Sequence, residues 1–500
     1  MKLDPTRIDL ATLRRIWAGA KVGLDDASMQ RVADAAASVE RIVASGETVY
    51  GVNTGFGLLA NTRIPDDRLA ELQTNLILSH SAGLGDPLPS NVTRLMIVLK
   101  LLGLGRGHSG VRPIVVEFLQ ALLDHQAMPV IPSQGSVGAS GDLAPLAHLI
   151  AALMGYGRID MGGPMPAADV LDKIGLKPLE LAPKEGLALI NGTQASTALA
   201  LDALFLGERV FAAAIAGGAL SVDALKGSAK PFDARVSELR GQPGQIRVAA
   251  AIAGLIEGSE ILTSHVKCSR VQDPYSFRCQ PQVMGASLDL LESAARTLLI
   301  EASAVTDNPI LFPDEDAAIS GGNFHAQPVA FAADIISMAL CEVGSISERR
   351  VSVLVDPKMS GLPAFLTEDS GVNSGLMIPQ VTAAALVSEN KTLAFPASVD
   401  SIPTSAGQED HVSMAPIAAR KARQIARNTA GVIAVELMAA AEGIDYHAPL
   451  KTSTKLQEIH RAVRQHSPHF TADRYWADEM RCLQEAVLAD EFGGDVIALS

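Results

Sequence analysis

TQASTALALDALFLGERVFAAAIAGGALSVDAL, from Thr193 to Leu225, decides the fold. Ala and Leu recur along it at helical spacing, and Ala stands on many of its faces. Runs of the same texture follow at Val283 to Val305, Val329 to Leu354, Gln380 to Leu393 and Pro416 to Glu442. Runs longer than twenty residues span about 30 Å or more at the helical rise. Pro328 and Pro416 stand where a first-turn proline is tolerated, and Gly443 follows the last run as a helix C-cap does. Helices with small residues on several faces must be buried on several sides. The expectation is a mostly α protein with a long-helix bundle core that oligomerises.

Upstream the texture differs. Short apolar segments are broken at glycines, among them Gly51, Gly55, Gly57, Gly83, Gly85, Gly103, Gly105, Gly107 and Gly110. The change falls near Asn191, without an internal repeat or a low-complexity linker. It divides the chain into a smaller N-terminal globular part, residues 1–190, and a long-helix bundle with a C-terminal helical tail, residues 191–500.

Composition bounds the function classes. Among 500 residues 48% are hydrophobic and only 4% aromatic, so the core is built from Ala, Leu, Ile and Val, which favours closely packed helices over sandwiches. The chain carries 41 basic and 55 acidic residues, a net charge of -14, with no basic block, so nucleic acid is not an expected partner. The N-terminus MKLDPTRIDL lacks an apolar signal region, and the uncharged stretch from Ser370 to Ser388 is broken by Asn373, Pro379 and Gln380. A cytoplasmic protein with no membrane association is expected. Cys268, Cys279, Cys341 and Cys482 form no C-x-x-C and no ligand spacing, and no H-E-x-x-H occurs. Reduced thiols and no metal are expected.

Chemistry concentrates in GSVGASGDLAPLAH, Gly135 to His148. Ala139, Ser140 and Gly141 are small enough for the Gly141 amide nitrogen to fold back on the Ala139 carbonyl. Loss of one water from the ring and one from Ser140 leaves a methylidene-imidazolone, an electrophile made from the chain itself. Taken alone, an Ala-Ser-Gly is ordinarily a turn. Gly105, Gly107 and Gly110 match a dinucleotide fingerprint, but LMIVLKLLGL before them reads as helix as readily as strand and no acidic residue follows about twenty positions on, so no nucleotide is expected.

Other positions each have a plain alternative. Tyr50 opens a glycine loop that could be an ordinary Ω-loop or could carry a phenol into a site. Gln272, Tyr275 and Arg278 recur every three residues, so one face presents an amide, a phenol and a guanidinium suited to a carboxylate; a surface ion pair is the ordinary role of such an Arg. Asn191 reads as a cap or turn residue, Phe324 as core or pocket lining, His80 as a helix-end histidine, and Glu409 in QEDH as one of two solvated carboxylates.

The tripeptide stretch occurs together with YGVNTGFG (Tyr50 to Gly57), NLILSHSAGLG (Asn75 to Gly85), LALINGTQ (Leu187 to Gln194), VQDPYSFRCQPQVMG (Val271 to Gly285), GGNFHAQP (Gly321 to Pro328) and SAGQEDHVSM (Ser405 to Met414). In this order the blocks resemble the aromatic amino acid ammonia-lyase family, and within it the histidine branch. The resemblance implies a 4-methylidene-imidazol-5-one formed autocatalytically from Ala139, Ser140 and Gly141, with Asp142 assisting. It implies Tyr50 as the base for the β-proton and Arg278 as the carboxylate anchor. Asn191, Gln272 and Tyr275 would orient substrate and prosthetic group, Phe324 would pack against the ring region, and His80 and Glu409 would hold the substrate imidazole. Phenylalanine lyases carry an apolar pair where this chain has Ser79-His80, while tyrosine lyases share the histidine, so Glu409 carries more of the distinction. The implied reaction converts L-histidine to trans-urocanate and ammonia, the first step of histidine degradation, in a homotetramer whose active sites are shared between subunits. An aminomutase using the same group and a non-enzymatic helical assembly are the other readings.

Overall fold

A computed structural model describes residues 1–45, 54, 64–65, 68–265, 271–493 and 496–497. All five long runs are helices, Gln194–Ala224, Gln280–Ala302, Gln327–Leu354, Met377–Leu393 and Ala415–Asp445. Pro328 and Pro416 are each the second residue of their helix, where a missing N–H costs no helical bond. Gly443 is not a cap, because its helix continues to Asp445. A Cβ on Gly443 would lie 2.9 Å from the Ala224 Cβ, so the glycine is there for close helix approach. Gly103 does not break its segment either: LMIVLKLLGL lies within one continuous helix, Ser90–Gly105, so a helix and not a strand leads directly into the GRGHSG glycines. Gln327–Leu354 is long and apolar enough to cross a membrane, but 67% of its most apolar window is buried within the protein, as in a core helix.

The chain divides into two compact units, and four of the five boundaries fall inside long helices, the fifth in the loop just after Met377–Leu393. Unit 1 comprises Met1–Asp202, Ala295–Asp334 and Pro396–Arg420; unit 2 comprises Ala203–Ala294, Ile335–Phe395 and Lys421–Ser500.

In unit 1 the short helices Leu69–His80, Leu143–Leu153 and Glu185–Ile190 pack on one another. Leu143–Leu153 reads LAPLAHLIAAL and is buried along almost its whole length. The strand Leu84–Pro87 pairs antiparallel with Pro132–Gln134, and a second small sheet joins Met128–Pro129, Arg158–Asp160 and Pro164–Pro166. These elements bring the C-terminal ends of two helices and the N-terminal end of a third to neighbouring loops.

Unit 2 is all helix packing on small residues. Between Ala203 and Ala224 the first long helix buries nearly every side chain, and at Gly207 a Cβ would sit 3.0 Å from Leu340. Interaxial distances near the short end of about 8–10 Å require such residues. The same interior holds a fully buried ion pair. Arg350 donates through Nε and Nη2 to the Glu436 carboxylate, which also accepts from Ser221 Oγ at 2.8 Å and Ser347 Oγ at 2.5 Å. Three long helices are joined by this one carboxylate. Arg350→Met should leave Glu436 charged, buried and short of its counter-ion, destabilising the protein by about 3–5 kcal/mol. A urea midpoint unchanged from wild type would show that the pair is not holding these helices.

Candidate active site

The loop from Gly135 leaves the Pro132–Gln134 strand and ends where Asp142 takes the N-cap position of Leu143–Leu153. Gly141 has φ +74°, in the left-handed region that glycine tolerates. Space is the harder limit, because a Cβ there would lie 2.1 Å from the carbonyl oxygen of Gly192. The two backbones touch and bond: Asp142 N–H donates to Gly192 O at 2.8 Å, and Gly192 N–H donates to Ser140 O at 3.5 Å. Gly192 itself has φ +120°, with Gln194 and Thr306 occupying the space a side chain would need.

Buried polar groups fix this contact. Asp142 is fully buried and accepts from Ser196 N–H at 2.7 Å, Ser196 Oγ at 2.8 Å and Ser136 Oγ at 3.2 Å. Burial still pushes its carboxyl above the usual range, against the pull of those donors. Asn191 Nδ2 donates to Asn308 O at 2.9 Å, and its own carbonyl accepts from Lys100 Nζ at 2.7 Å. Lys100, inside the Ser90–Gly105 helix, is 2% exposed, and desolvation brings its ammonium down to about 8. Thr193 Oγ1 donates to Glu301 at 2.5 Å, and burial raises that carboxyl as well.

Glu409 is the residue whose placement changes most from its plain reading. It is half-buried rather than solvated, with Oε1 accepting from Ser140 Oγ at 2.7 Å and Oε2 from Thr404 Oγ1 at 2.6 Å. The same block reaches the tripeptide loop through Met414 N–H to Val137 O at 2.9 Å and Ser413 Oγ to Gly138 O at 3.0 Å. Ala139 is buried against Val412 and Met414. Phe324 is half-buried, and its neighbour His325 stacks on His411 with centroids 5.8 Å apart, tying the Gly321 block to the Glu409 block.

His80 closes the Leu69–His80 helix, with Nδ1 2.8 Å from Leu76 O. A carbonyl can only accept, so Nδ1 carries the proton and Nε2 keeps the lone pair in the neutral ring. Three residues on, Gly83 N–H donates to His148 Nε2 at 3.0 Å, and burial keeps His148 below its ordinary value. Gly83 also lies against the tripeptide loop, since a Cβ on Gly135 would meet its Cα at 3.0 Å. Ala139, Ser140, Gly141, Asp142, Asn191 and Glu409 are thus directly joined, and the blocks carrying His80 and Phe324 border them.

Gln272, Tyr275 and Arg278 belong to unit 2. Tyr275–Arg278 is a single helical turn, with Tyr275 72% exposed and Gln272 exposed before it. The Arg278 guanidinium lies 4.5 Å from the Tyr275 ring centroid and donates to Asp273 O at 3.1 Å; it has no carboxylate partner among the described residues. Among the described residues no surface ion pair holds it. Tyr50 lies outside the described residues, as does Cys268. Cys279, Cys341 and Cys482 are free thiols.

Glu442, Asp445 and His469 in unit 2 are spaced as metal ligands could be. Arg464 Nη2 donates to Glu442 at 2.8 Å and Asp445 at 2.5 Å, and His469 Nδ1 lies 2.8 Å from Glu442, so the cluster reads as an ion-pair network. Sequence reasoning missed Lys100, Gly192, Ser136, Ser196 and Thr404. Only Lys100 carried a signal, as a lone charge within an apolar run.

A bend of three small residues, Ala139 and Gly141 buried and Ser140 half-buried with its hydroxyl on a carboxylate, has the small side chains that a backbone cyclisation needs. Residues 8–465 match the model of the aromatic amino acid lyase family, and the chain belongs to that family. It is 56% identical to the histidine ammonia-lyase of Paracidovorax citrulli, over 96% of this chain and 94% of that one. A crystal structure of histidine ammonia-lyase from Trypanosoma cruzi superposes with a TM-score of 0.92 at 38% identity, covering 99% of this chain and 94% of that one. The tyrosine aminomutase of Streptomyces globisporus superposes at 0.94 with 35% identity, covering 100% of both chains.

Proposed function

We propose that this chain is a cytoplasmic ammonia-lyase converting L-histidine to trans-urocanate and ammonia, with a 4-methylidene-imidazol-5-one formed from Ala139, Ser140 and Gly141. The observation that carries the reading is the 2.7 Å contact between Ser140 Oγ and Glu409. It puts the residue whose β-carbon becomes electrophilic beside a carboxylate able to take an imidazole N–H. The 56% identity to a histidine ammonia-lyase supports the same substrate.

The chemistry demands this equipment. The β-hydrogen of an amino acid is weakly acidic and ammonia leaves poorly, so a base alone does not suffice. Formed from Ala139, Ser140 and Gly141, the prosthetic group would supply an electrophilic carbon for the substrate amine, which would make its nitrogen a better leaving group. The chain's own residues do the rest. Tyr50 takes the β-proton as phenolate. Arg278 holds the carboxylate, with Gln272 and Tyr275 orienting the substrate and Asn191 the group beside it. Phe324 packs against the ring region. His80, proton on Nδ1, offers only an acceptor at Nε2, so together with the Glu409 carboxylate it holds both ring nitrogens of a substrate in its imidazolium form, while Glu409 takes the single N–H of a neutral ring.

Return of ammonia to the β-carbon, as an aminomutase performs it, is the second reading, favoured by the aminomutase superposition. The higher identity to a lyase outweighs it. Incubation with L-histidine should raise urocanate absorbance, with no β-amino acid formed and with phenylalanine and tyrosine inert as controls. Ser140→Ala should keep its full mass and Tyr50→Phe should lose two waters, yet both should lose most of the turnover. Near wild-type turnover in Ser140→Ala would sink the electrophile.

Glu409→Gln removes the charge that takes the imidazole N–H in a desolvated site, a loss of about 2–4 kcal/mol. Its kcat/KM for histidine should fall about thirtyfold to several hundredfold, at about 1.4 kcal/mol per decade, counted per chain short of two waters. Unchanged histidine kinetics would return Glu409 to a structural role and reopen the choice of substrate.

A homotetramer with active sites shared between subunits completes the proposal. Val271 is 95% exposed, Phe395 73%, Ile300 72% and Val399 71%, apolar surface that a partner subunit would cover. Sedimentation should give four times the chain mass, and a stable, active monomer would refute it.

A further inference from the structure

Two lysines are buried in unit 1, and only one has an ordinary reason to be there. Lys184 pairs with Asp307 at 3.1 Å and donates to Ser109 O. Lys100 has no carboxylate within ion-pair distance among the described residues; its Nζ donates to two main-chain oxygens, Ala188 O at 3.1 Å and Asn191 O at 2.7 Å. Ala188 lies near the end of the Glu185–Ile190 helix and Asn191 is its C-cap, so both oxygens belong to the negative end of that helix. An ammonium placed on helix-end carbonyls is electrostatically sound, but an apolar interior has cheaper ways to end a short helix.

The peptide unit involved explains more. Asn191 C=O and Gly192 N–H are the two ends of one peptide plane. Lys100 holds the oxygen, and the N–H at the other end faces Ser140 O at 3.5 Å. A cation on the oxygen of a peptide drains its nitrogen and makes its N–H a stronger donor. We propose that Lys100 is a positioning residue for maturation of the tripeptide: through the Asn191–Gly192 peptide it aims a polarised N–H at Ser140 O during dehydration of Ser140. This rests on the prosthetic-group reading above.

The two waters leave by different routes. One takes the Ala139 oxygen together with the Gly141 and Ser140 amide hydrogens, as Gly141 N bonds to the Ala139 carbonyl carbon, the C–O bond breaks and that carbon becomes doubly bonded to Ser140 N. The other leaves Ser140 itself: the Cα–H and Cβ–Oγ bonds break, Cα=Cβ forms, and the proton and hydroxide depart together as water. Taking the Cα proton loads negative charge onto the adjoining carbonyl, whose oxygen is Ser140 O. The Gly192 N–H faces that oxygen, and the contact shortens as charge builds. Lys100 therefore serves the second loss rather than the first.

The test follows intact mass with time in freshly synthesised full-length wild type, Lys100→Met and Lys100→Gln. Wild type should end short of two waters. Lys100→Met should accumulate chain short of one water, its second loss slowed about tenfold or more, with Lys100→Gln, which keeps a donor without charge, falling between. Unfolding midpoints establish that each variant is folded, and a packing defect alone would not separate the two losses.

Runs at about pH 7 and about pH 9.5 bracket the Lys100 value of about 8. Asp307 and Asp142 favour the charged form from their sides, while Lys184 and burial oppose it. The second loss should slow with rising pH in wild type and stay level in both variants. Because folding lowers the Lys100 value, its contribution to stability rises with pH between about 8 and the ordinary lysine range, so slowing cannot be ascribed to unfolding at this group. A folded Lys100→Met that loses both waters at the wild-type rate overturns the proposal; if that variant does not fold, the same result in Lys100→Gln does. Wild type at full mass defeats the prosthetic-group reading instead, a separate outcome.

Discussion

Everything in unit 1 that bears on chemistry depends on two backbones meeting without side chains. Gly141 and Gly192 approach so closely that a single methyl on Gly141 would stand 2.1 Å from a carbonyl oxygen. Backbone groups in so tight a contact have no room for water and must bond to each other, as Asp142 N–H and Gly192 O do. The contact binds the helix that follows the tripeptide to the helix that ends at Asn191. It also holds the bend from which a backbone nitrogen can reach back along its own chain.

Around that contact the described residues include buried charges of both signs, each met by polar partners. Asp142 is surrounded by serine donors, Lys100 by carbonyl oxygens, Lys184 by Asp307 and Ser109. Desolvation moves the Asp142 carboxyl up and the Lys100 ammonium down, each toward its neutral form. Groups shifted in this way exchange protons closer to neutrality than they would in water, and such shifts cluster where chemistry is done. A purely structural core of the same size would be more stable filled with hydrocarbon.

Unit 2 shows the opposite economy, with small residues where unit 1 has polar ones. Alanine and glycine bring the helices close, as at Gly443 against Ala224, and the interior polar groups converge on Glu436. Helices packed this tightly transmit little slack. Apolar side chains left exposed on its surface, Val271 and Phe395 among them, are the remaining unsatisfied demand.

The amino-acid sequence by itself determined the long helices, because an apolar period of 3.6 residues sustained along a run is satisfied by a helix, whereas the Ala-Ser-Gly tripeptide taken alone read as an ordinary turn. Asn191 and Glu409 read by themselves as a cap or turn residue and a solvated carboxylate, and only the blocks around them, LALINGTQ and SAGQEDHVSM, singled them out. Where a side chain or glycine serves a partner distant in sequence, the local pattern misleads. Gly443 reads as a cap until Ala224 is seen against it, and QEDH reads as a solvated pair until Ser140 is found 2.7 Å from Glu409. Lys100 reads as an interruption in an apolar run until the carbonyls of Ala188 and Asn191 are placed on it. Hydrophobic period is a property of neighbours in the chain, whereas a close approach or a buried hydrogen bond is a property of neighbours in space, and only the tertiary structure decided those.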